Sequence, residues 1–181
     1  MRTLRLLLIC LTAVFLAGCG EPDIRSKAEA GDPAAQSKLG NMYYAGFGVP
    51  KDAAEAVNWY RKAADQGYDK AQFNLGLMYE LGAGVPQDYA EALKWYRKAA
   101  DQGNAGAQFN IGNMYDHGQG VPKVAAEAYA WYNLASISSD NAGQKRDELE
   151  KTLTPEQKAR AQQRSIELHK EIEERKKAAG K

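Results

Sequence analysis

Three stretches of this chain can be laid over one another without a gap: "AQSKLGNMYYAGFGVPKDAAEAVNWYRKAADQG", "AQFNLGLMYELGAGVPQDYAEALKWYRKAADQG" and "AQFNIGNMYDHGQGVPKVAAEAYAWYNLAS". Gly40, Gly76 and Gly112 recur every 36 residues, and so do Trp59, Trp95 and Trp131, and Pro50, Pro86 and Pro122. A period of this length, held in register over three copies, signals one small unit stacked on itself. Each unit contacts only its neighbours, so a continuous core forms by stacking and the ends need caps. The question of fold reduces to the shape of one unit.

Within the second copy, Ala71, Leu75, Met78 and Tyr79 follow the i, i+4, i+7, i+8 stripe of an amphipathic helix. Ala92, Leu93, Tyr96, Ala99 and Ala100 do the same after an intervening GAGVPQD. A Gly-x-Gly can wrap a phosphate, but such a loop follows a strand and occurs once. Here the glycine pair follows a helix each time and returns as Gly46-Phe47-Gly48 and Gly118-Gln119-Gly120. It therefore reads as a helix stop: glycine reaches positive φ, and the following proline prevents the helix from resuming at once. Asp52 and Asp88 stand where they can cap the second helix. The fold class is all-α.

Gly40, Gly76 and Gly112 are different, because they sit inside a helix. Glycine there costs about 1 kcal/mol relative to alanine. A cost repeated three times implies that the missing side chain is needed, and close approach of the paired helix is the expected reason, with Tyr79 and Tyr96 filling the space around the contact.

The pattern A-x-x-x-L-G-x-x-Y, G-x-G-V-x-x-D and A-x-x-W-Y-x-K-A-A-x-x-G resembles the Sel1-like repeat, a relative of the tetratricopeptide repeat with a longer loop between its helices. The resemblance runs from about Ala30 to Ser136. It implies an α/α solenoid, a right-handed superhelix of helix pairs, and adaptor or scaffold work rather than a particular chemistry. The expected units are about 30–66, 67–102 and 103–138, preceded by a short leading helix within Asp23 to Ala30. Capping helices over 139–181 follow, as similar tails close many such proteins. Thr154, Pro155 and Gln157 form a capping-box start for the last helix. Beyond Leu168 that helix is mostly charged, with Ile172 alone as a large apolar residue, so its last turns are expected to project and fray.

Carrying the tetratricopeptide register onto this chain puts Ser37, Asn41 and Tyr44, then Phe73, Leu77 and Glu80, then Phe109, Asn113 and Asp116 on the concave face lined by the first helices. These positions lie off the core stripe and vary between copies where core positions do not. Variation inside a repeat is where specificity can be encoded. Asn41, Tyr44, Phe73, Leu77, Glu80, Phe109, Asn113 and Asp116 are the candidate protein-binding residues. Phe73 and Phe109 could equally pack between adjacent units.

The N-terminus reads as an address. Arg2 and Arg5 precede an apolar run from Leu6 to Gly18, too short for a comfortable membrane span and typical of an export signal over 1–18. Leu16-Ala17-Gly18-Cys19 resembles the lipobox of bacterial lipoproteins, which implies cleavage before Cys19 and acylation of its thiol. Residues 19–29 then hold the anchor and a short linker or the leading helix. Each buried methylene contributes about 0.8 kcal/mol, so two or three chains hold where one is marginal. Gly20, rather than Asp, follows the cysteine, which by the sorting rule of enteric lipoproteins implies the outer membrane, facing the periplasm. The only other cysteine, Cys10, lies in the signal. Removing Arg2 and Arg5 takes the formal charge from +1 to −1, a balance that offers no electrostatic footprint for nucleic acid.

Chemistry finds little to use. A cysteine-rich subset of Sel1-like proteins has been associated with penicillin binding and β-lactam hydrolysis, and Ser139-Asp140-Asn141 spells the SDN triplet of β-lactamases. No S-x-x-K or K-T-G accompanies it, and Ser139 or Asp140 is better read as a helix cap. His117 and His169 are the only histidines, far apart, with no H-E-x-x-H, so no metal site and no cofactor is expected. No nucleophile with its base is visible. The expectation is a non-catalytic scaffold for a protein or peptide partner in the cell envelope. A periplasmic immunity or inhibitor protein is the alternative, and a cell-wall or β-lactam enzyme a distant third.

Overall fold

The computed structural model describes residues 23–178 and 180. The signal sequence and Cys19 lie outside them. Nine α-helices occupy the described residues: α1 (Ile24–Glu29), α2 (Pro33–Ala45), α3 (Ala53–Asp65), α4 (Asp69–Leu81), α5 (Tyr89–Asp101), α6 (Ala105–His117), α7 (Ala125–Ala135), α8 (Asp140–Thr152) and α9 (Pro155–Ala178). Helices α2 and α3, α4 and α5, and α6 and α7 form hairpins, and the second helix of each hairpin packs on the first helix of the next. This all-α repeat fold is what the 36-residue period implies.

The loop glycines end the first helices as expected. Gly46, Gly82 and Gly118 adopt φ of 75°, 66° and 73°, and their N–H groups donate to the carbonyls of Met42, Met78 and Met114. The second glycine of the loop does something further. A Cβ on Gly84 would lie 2.3 Å from the carbonyl oxygen of Ala53, and one on Gly120 would lie 2.6 Å from Cβ of Tyr89. Each loop is thus pressed against the first turn of the preceding unit's second helix, and the glycine pair makes an interface between units as well as a turn. In the first unit Phe47 is 77% exposed where Ala83, at the same place one unit later, packs against the core.

The glycines inside the first helices meet the partner helix. A Cβ on Gly76 would lie 2.6 Å from Cδ1 of Tyr96, and the same distance recurs at Gly40 with Tyr60 and at Gly112 with Tyr132. Tyr60, Tyr96 and Tyr132 are 2%, 0% and 0% exposed. The tyrosine of the second helix fills the place that the first helix leaves vacant. Tyr79 instead receives a hydrogen bond from Arg61 of the preceding unit.

Asp52 and Asp88 cap α3 and α5 through bonds of 3.0 Å to the N–H groups of Glu55 and Glu91. At the corresponding start of α7 stands Val124, without a side-chain cap.

The period reaches further at both ends than the three matching stretches suggest. Helix α1 supplies to α2 what the end of a second helix supplies elsewhere. The Gln36 side chain donates to the Ala28 carbonyl at 3.1 Å, as Gln72 does to Ala64 and Gln108 to Ala100. Arg25 donates to Tyr43 at 3.0 Å, as Arg97 does to Tyr115. Arg25, Arg61 and Arg97 are 36 residues apart, so this half-unit was present in the sequence.

At the other end α8 stacks on α7 in the manner of another first helix. Its N-cap Ser139 and buried Ala142 match Asn104 and Ala107 of α6, but Arg146 takes the place of Ile111 and bonds Asn133 at 3.0 Å. The next helix does not pair with α8. Instead α9 lies along α7 and touches α5, through Ala161, Leu168 and Ile172, all at most 2% exposed. Arg164 bridges Glu127 (2.5 Å) and Glu171 (2.6 Å), and Arg175 meets Asp101 at 3.0 Å. The expectation that α9 projects beyond Leu168 is corrected by these contacts. One apolar residue a turn after Leu168, flanked by arginines placed opposite acids, is enough to hold it down through Arg175. Its start is the expected capping box, with Thr154 N–H bonded to Gln157 at 2.8 Å and the reciprocal bond at 3.3 Å.

Candidate functional site

Helices α2, α4 and α6 carry all the candidate binding residues. Their behaviour is governed by the buried tyrosines behind them. Tyr60 donates its hydroxyl to Oδ1 of Asn41 at 2.7 Å, and Tyr132 does the same to Asn113 at 2.7 Å. In the middle unit Leu77 stands at the Asn41 and Asn113 position and cannot accept. There Tyr96 donates to Glu80 at 2.5 Å and accepts from Asn110 of the next unit at 3.0 Å. A buried phenol left without a partner would cost about 1–3 kcal/mol. The substitution at position 77 is thus compensated one turn later, at position 80.

These phenols are held neutral. Burial pushes the Tyr60 hydroxyl up to about 12. Burial together with the Glu80 hydrogen bond raises Tyr96, and burial with the Asp116 charge raises Tyr132. They are donors that orient side chains on the face, with no proton to exchange at neutral pH.

Phe73 and Phe109 lie half-buried against these rings, with centroids 5.8 Å from Tyr96 and 5.6 Å from Tyr132. Phe73 also comes within 3.2 Å of where a Cβ on Gly106 would stand, so its ring spans two units. Tyr44 packs at the edge of the core between the first two units. Asp116 approaches Lys123 at 3.8 Å, and His117 beside it is exposed, with Nδ1 2.8 Å from the Asn113 carbonyl. Ser37, read as a face residue, is only 4% exposed.

Between α2, α4 and the start of α6 lies a hollow of about 380 Å³, lined by Ala34, Ser37, Lys38, Asn41, Tyr68, Lys70, Phe73, Asn74 and Asn104. It brings together Ser37, Asn41 and Phe73 among the expected residues. Tyr44, Leu77, Glu80, Phe109, Asn113 and Asp116 do not line it. Lys38, Asn74 and Lys70 were missed by sequence reasoning. Positions 38, 74 and 110 read Lys, Asn and Asn in the three copies, and that variation one place off the chosen register was the available signal. Asn74 donates to Asn41 at 3.1 Å, joining two units across the floor of the hollow.

Nothing in this arrangement assembles a nucleophile, a base and an orienting group. Ser139 is occupied as the N-cap of α8. Among the described residues no group of three or more His, Cys, Asp or Glu could hold a metal ion, and no helix is long and apolar enough to cross a membrane.

Stacked helix pairs with a conserved buried seam and a variable outer face define an α-solenoid repeat protein. The family model of the Sel1 repeat matches residues 33–68, 69–104 and 105–140, and the chain belongs to that family, whose members are generally non-catalytic protein-interaction scaffolds. A Sel1 repeat protein from Oxalobacter formigenes is similar, with 47% identity and a TM-score of 0.62 over 65% of this chain and 49% of that one. So is c5321, a protective antigen present in uropathogenic Escherichia coli strains that displays an SLR fold, with 37% identity and a TM-score of 0.75 over 86% of this chain and 34% of that one. The chain thus spans about half the length of the first and a third of the second. No curated protein matches it.

Proposed function

We propose that this protein is an exported, lipid-anchored scaffold that holds a protein partner on its first-helix face at the inner surface of the outer membrane. The observation that carries the binding role is the contrast between the two helix rows. The second helices repeat nearly the same buried residues in every unit. The accessible residues of the first helices change from copy to copy, around a hollow whose floor is a carboxamide pair and whose wall is an aromatic ring. Aromatic anchors that lose water on binding and amides that fix a ligand's backbone are the usual elements of such a groove. Anchoring through Cys19 and placement in the envelope rest on the signal and lipobox pattern alone.

The test uses the protein tethered by its N-terminus to capture partners from envelope extract. Leu77→Arg on the first-helix face should abolish capture, and Lys94→Glu on the second-helix row should leave it unchanged. Capture insensitive to Leu77→Arg overturns the assignment of the face. Labelling of the cells with radioactive palmitate should mark the protein and lose that label in Cys19→Ala, and an unlabelled wild type removes the anchor from the proposal.

A further inference from the structure

The charges around the hollows of this protein differ in one respect. The hollow under α9 balances Arg97, Arg164 and Arg175 against Asp101, Glu127 and Glu171. The hollow between α2, α4 and α6 is lined by two charged residues, Lys38 and Lys70, both basic. Both are exposed, and neither forms an ion pair among the described residues. Lys38 also borders the next hollow, where Asp23, Lys27 and Asp32 stand, and pairs with neither acid there. At the other rim the Asp69 carboxylate accepts a hydrogen bond from the Asn104 carboxamide at 2.9 Å.

A further observation points the same way. Ser37 is 96% buried by its 4% exposure, lines this hollow and makes no hydrogen bond among the described residues. Its oxygen is not enclosed, unlike the unpartnered Trp59 Nε1, so water reaches it from the hollow and an acceptor on a ligand can take that water's place.

We infer that this hollow binds a side-chain carboxylate from an acidic segment of the partner protein. Lys38 and Lys70 supply the attraction, Ser37 Oγ donates a hydrogen bond, and Asn41 and Asn74 hold the peptide beside the Phe73 ring. Charge complementarity is the ground for this choice, because an anion satisfies the two lysines and the hydroxyl donor together. The inference rests on the reading of the first-helix face as the protein-binding surface.

The probe is fluorescein-labelled hexaglutamate, acetylated and amidated, titrated into the full-length protein in mild detergent at low salt and followed by anisotropy. It should bind at least tenfold more tightly than the hexaglutamine counterpart. Lys38→Glu with Lys70→Glu should weaken it tenfold or more, whereas the charge-matched pair Lys94→Glu and Lys98→Glu should change it less than twofold. Ser37→Ala should weaken it several-fold with an unchanged melting temperature. Absence of binding, equal binding of hexaglutamine, or equal loss in both lysine pairs overturns the inference. In the capture experiment, a partner that survives Lys38→Glu with Lys70→Glu but is lost with Leu77→Arg removes the acid site and leaves the scaffold. A partner that survives both removes the face itself.

Discussion

Replacing Gly76 by alanine should destabilise this protein, although alanine is the better helix former. The propensity change favours the variant by about 1 kcal/mol. Against it, the new methyl would stand 2.6 Å from Cδ1 and 2.7 Å from Cε1 of Tyr96, and 3.2 Å from the Ala92 carbonyl. Tyr96 has no room to retreat, since it is 0% exposed and its hydroxyl is held by Glu80 and Asn110. Overpacking a tight core costs about 1–3 kcal/mol, and a pinned ring places this case near the top of that range. The net loss is then about 2 kcal/mol, a fall in melting temperature of about 4–8 °C for a chain of this size. The assay is urea and thermal unfolding by circular dichroism, with coincident probes to establish that the array unfolds as one unit. A double-mutant cycle with Tyr96→Ala isolates the contact. In that background Gly76→Ala should stabilise by about 1 kcal/mol, because only the propensity remains. A higher melting temperature for Gly76→Ala in the native background, or the same sign in both, refutes the close-approach account.

Gly84→Ala should cost far more than Gly48→Ala in thermal denaturation. Both have positive φ, worth about 1–2 kcal/mol of strain, but only Gly84 faces the backbone of Ala53 at 2.3 Å. Val124→Asp should raise stability by about 1 kcal/mol in urea titration, since the extended backbone there matches that of Asp88, whose carboxylate caps α5 at 3.0 Å. Towards alkali, Tyr60 is raised by burial to about 12, so the stability it contributes is whole below its ordinary value of about 10 and is lost as pH rises through 12. Phenolate absorbance should accordingly show Tyr60, Tyr96 and Tyr132 ionising only as the chain unfolds. Towards acid, Arg164 holds the Glu171 carboxyl below its usual range. That contribution to the docking of α9 is present above about pH 4.3 and fades as pH falls through the lower folded value. Amide exchange at Leu168 and Ile172 should speed up there before exchange in α4 or α5 does.

The helix pairs, their caps and their glycine stops were legible because each is a local matter. Gly82 needs positive φ whatever surrounds it, and Asp88 caps the helix that begins beside it. The face was less legible. A register places Phe73 and Phe109 on the first helices, but whether a ring stands free or lies on its neighbour depends on how closely the units stack, and here both lie on tyrosines. Lys70 gained its place in the hollow from the gap between α2 and α4, which no position within one repeat reveals.

What the sequence alone determined is therefore the unit and its number of copies, since helix periodicity, caps and stops act within a dozen residues and the period multiplies them. Tertiary structure decided how the array ends. By sequence, α8 and α9 could have closed a fourth hairpin, but the polar face of α8, with Arg146 at the core position, offers α9 little to bury against. Helix α9 instead lays Leu168 and Ile172 on α7, where apolar surface left uncovered by the missing unit is available. The choice depends on which surface removes more apolar area from water, and that comparison exists only once the units have stacked.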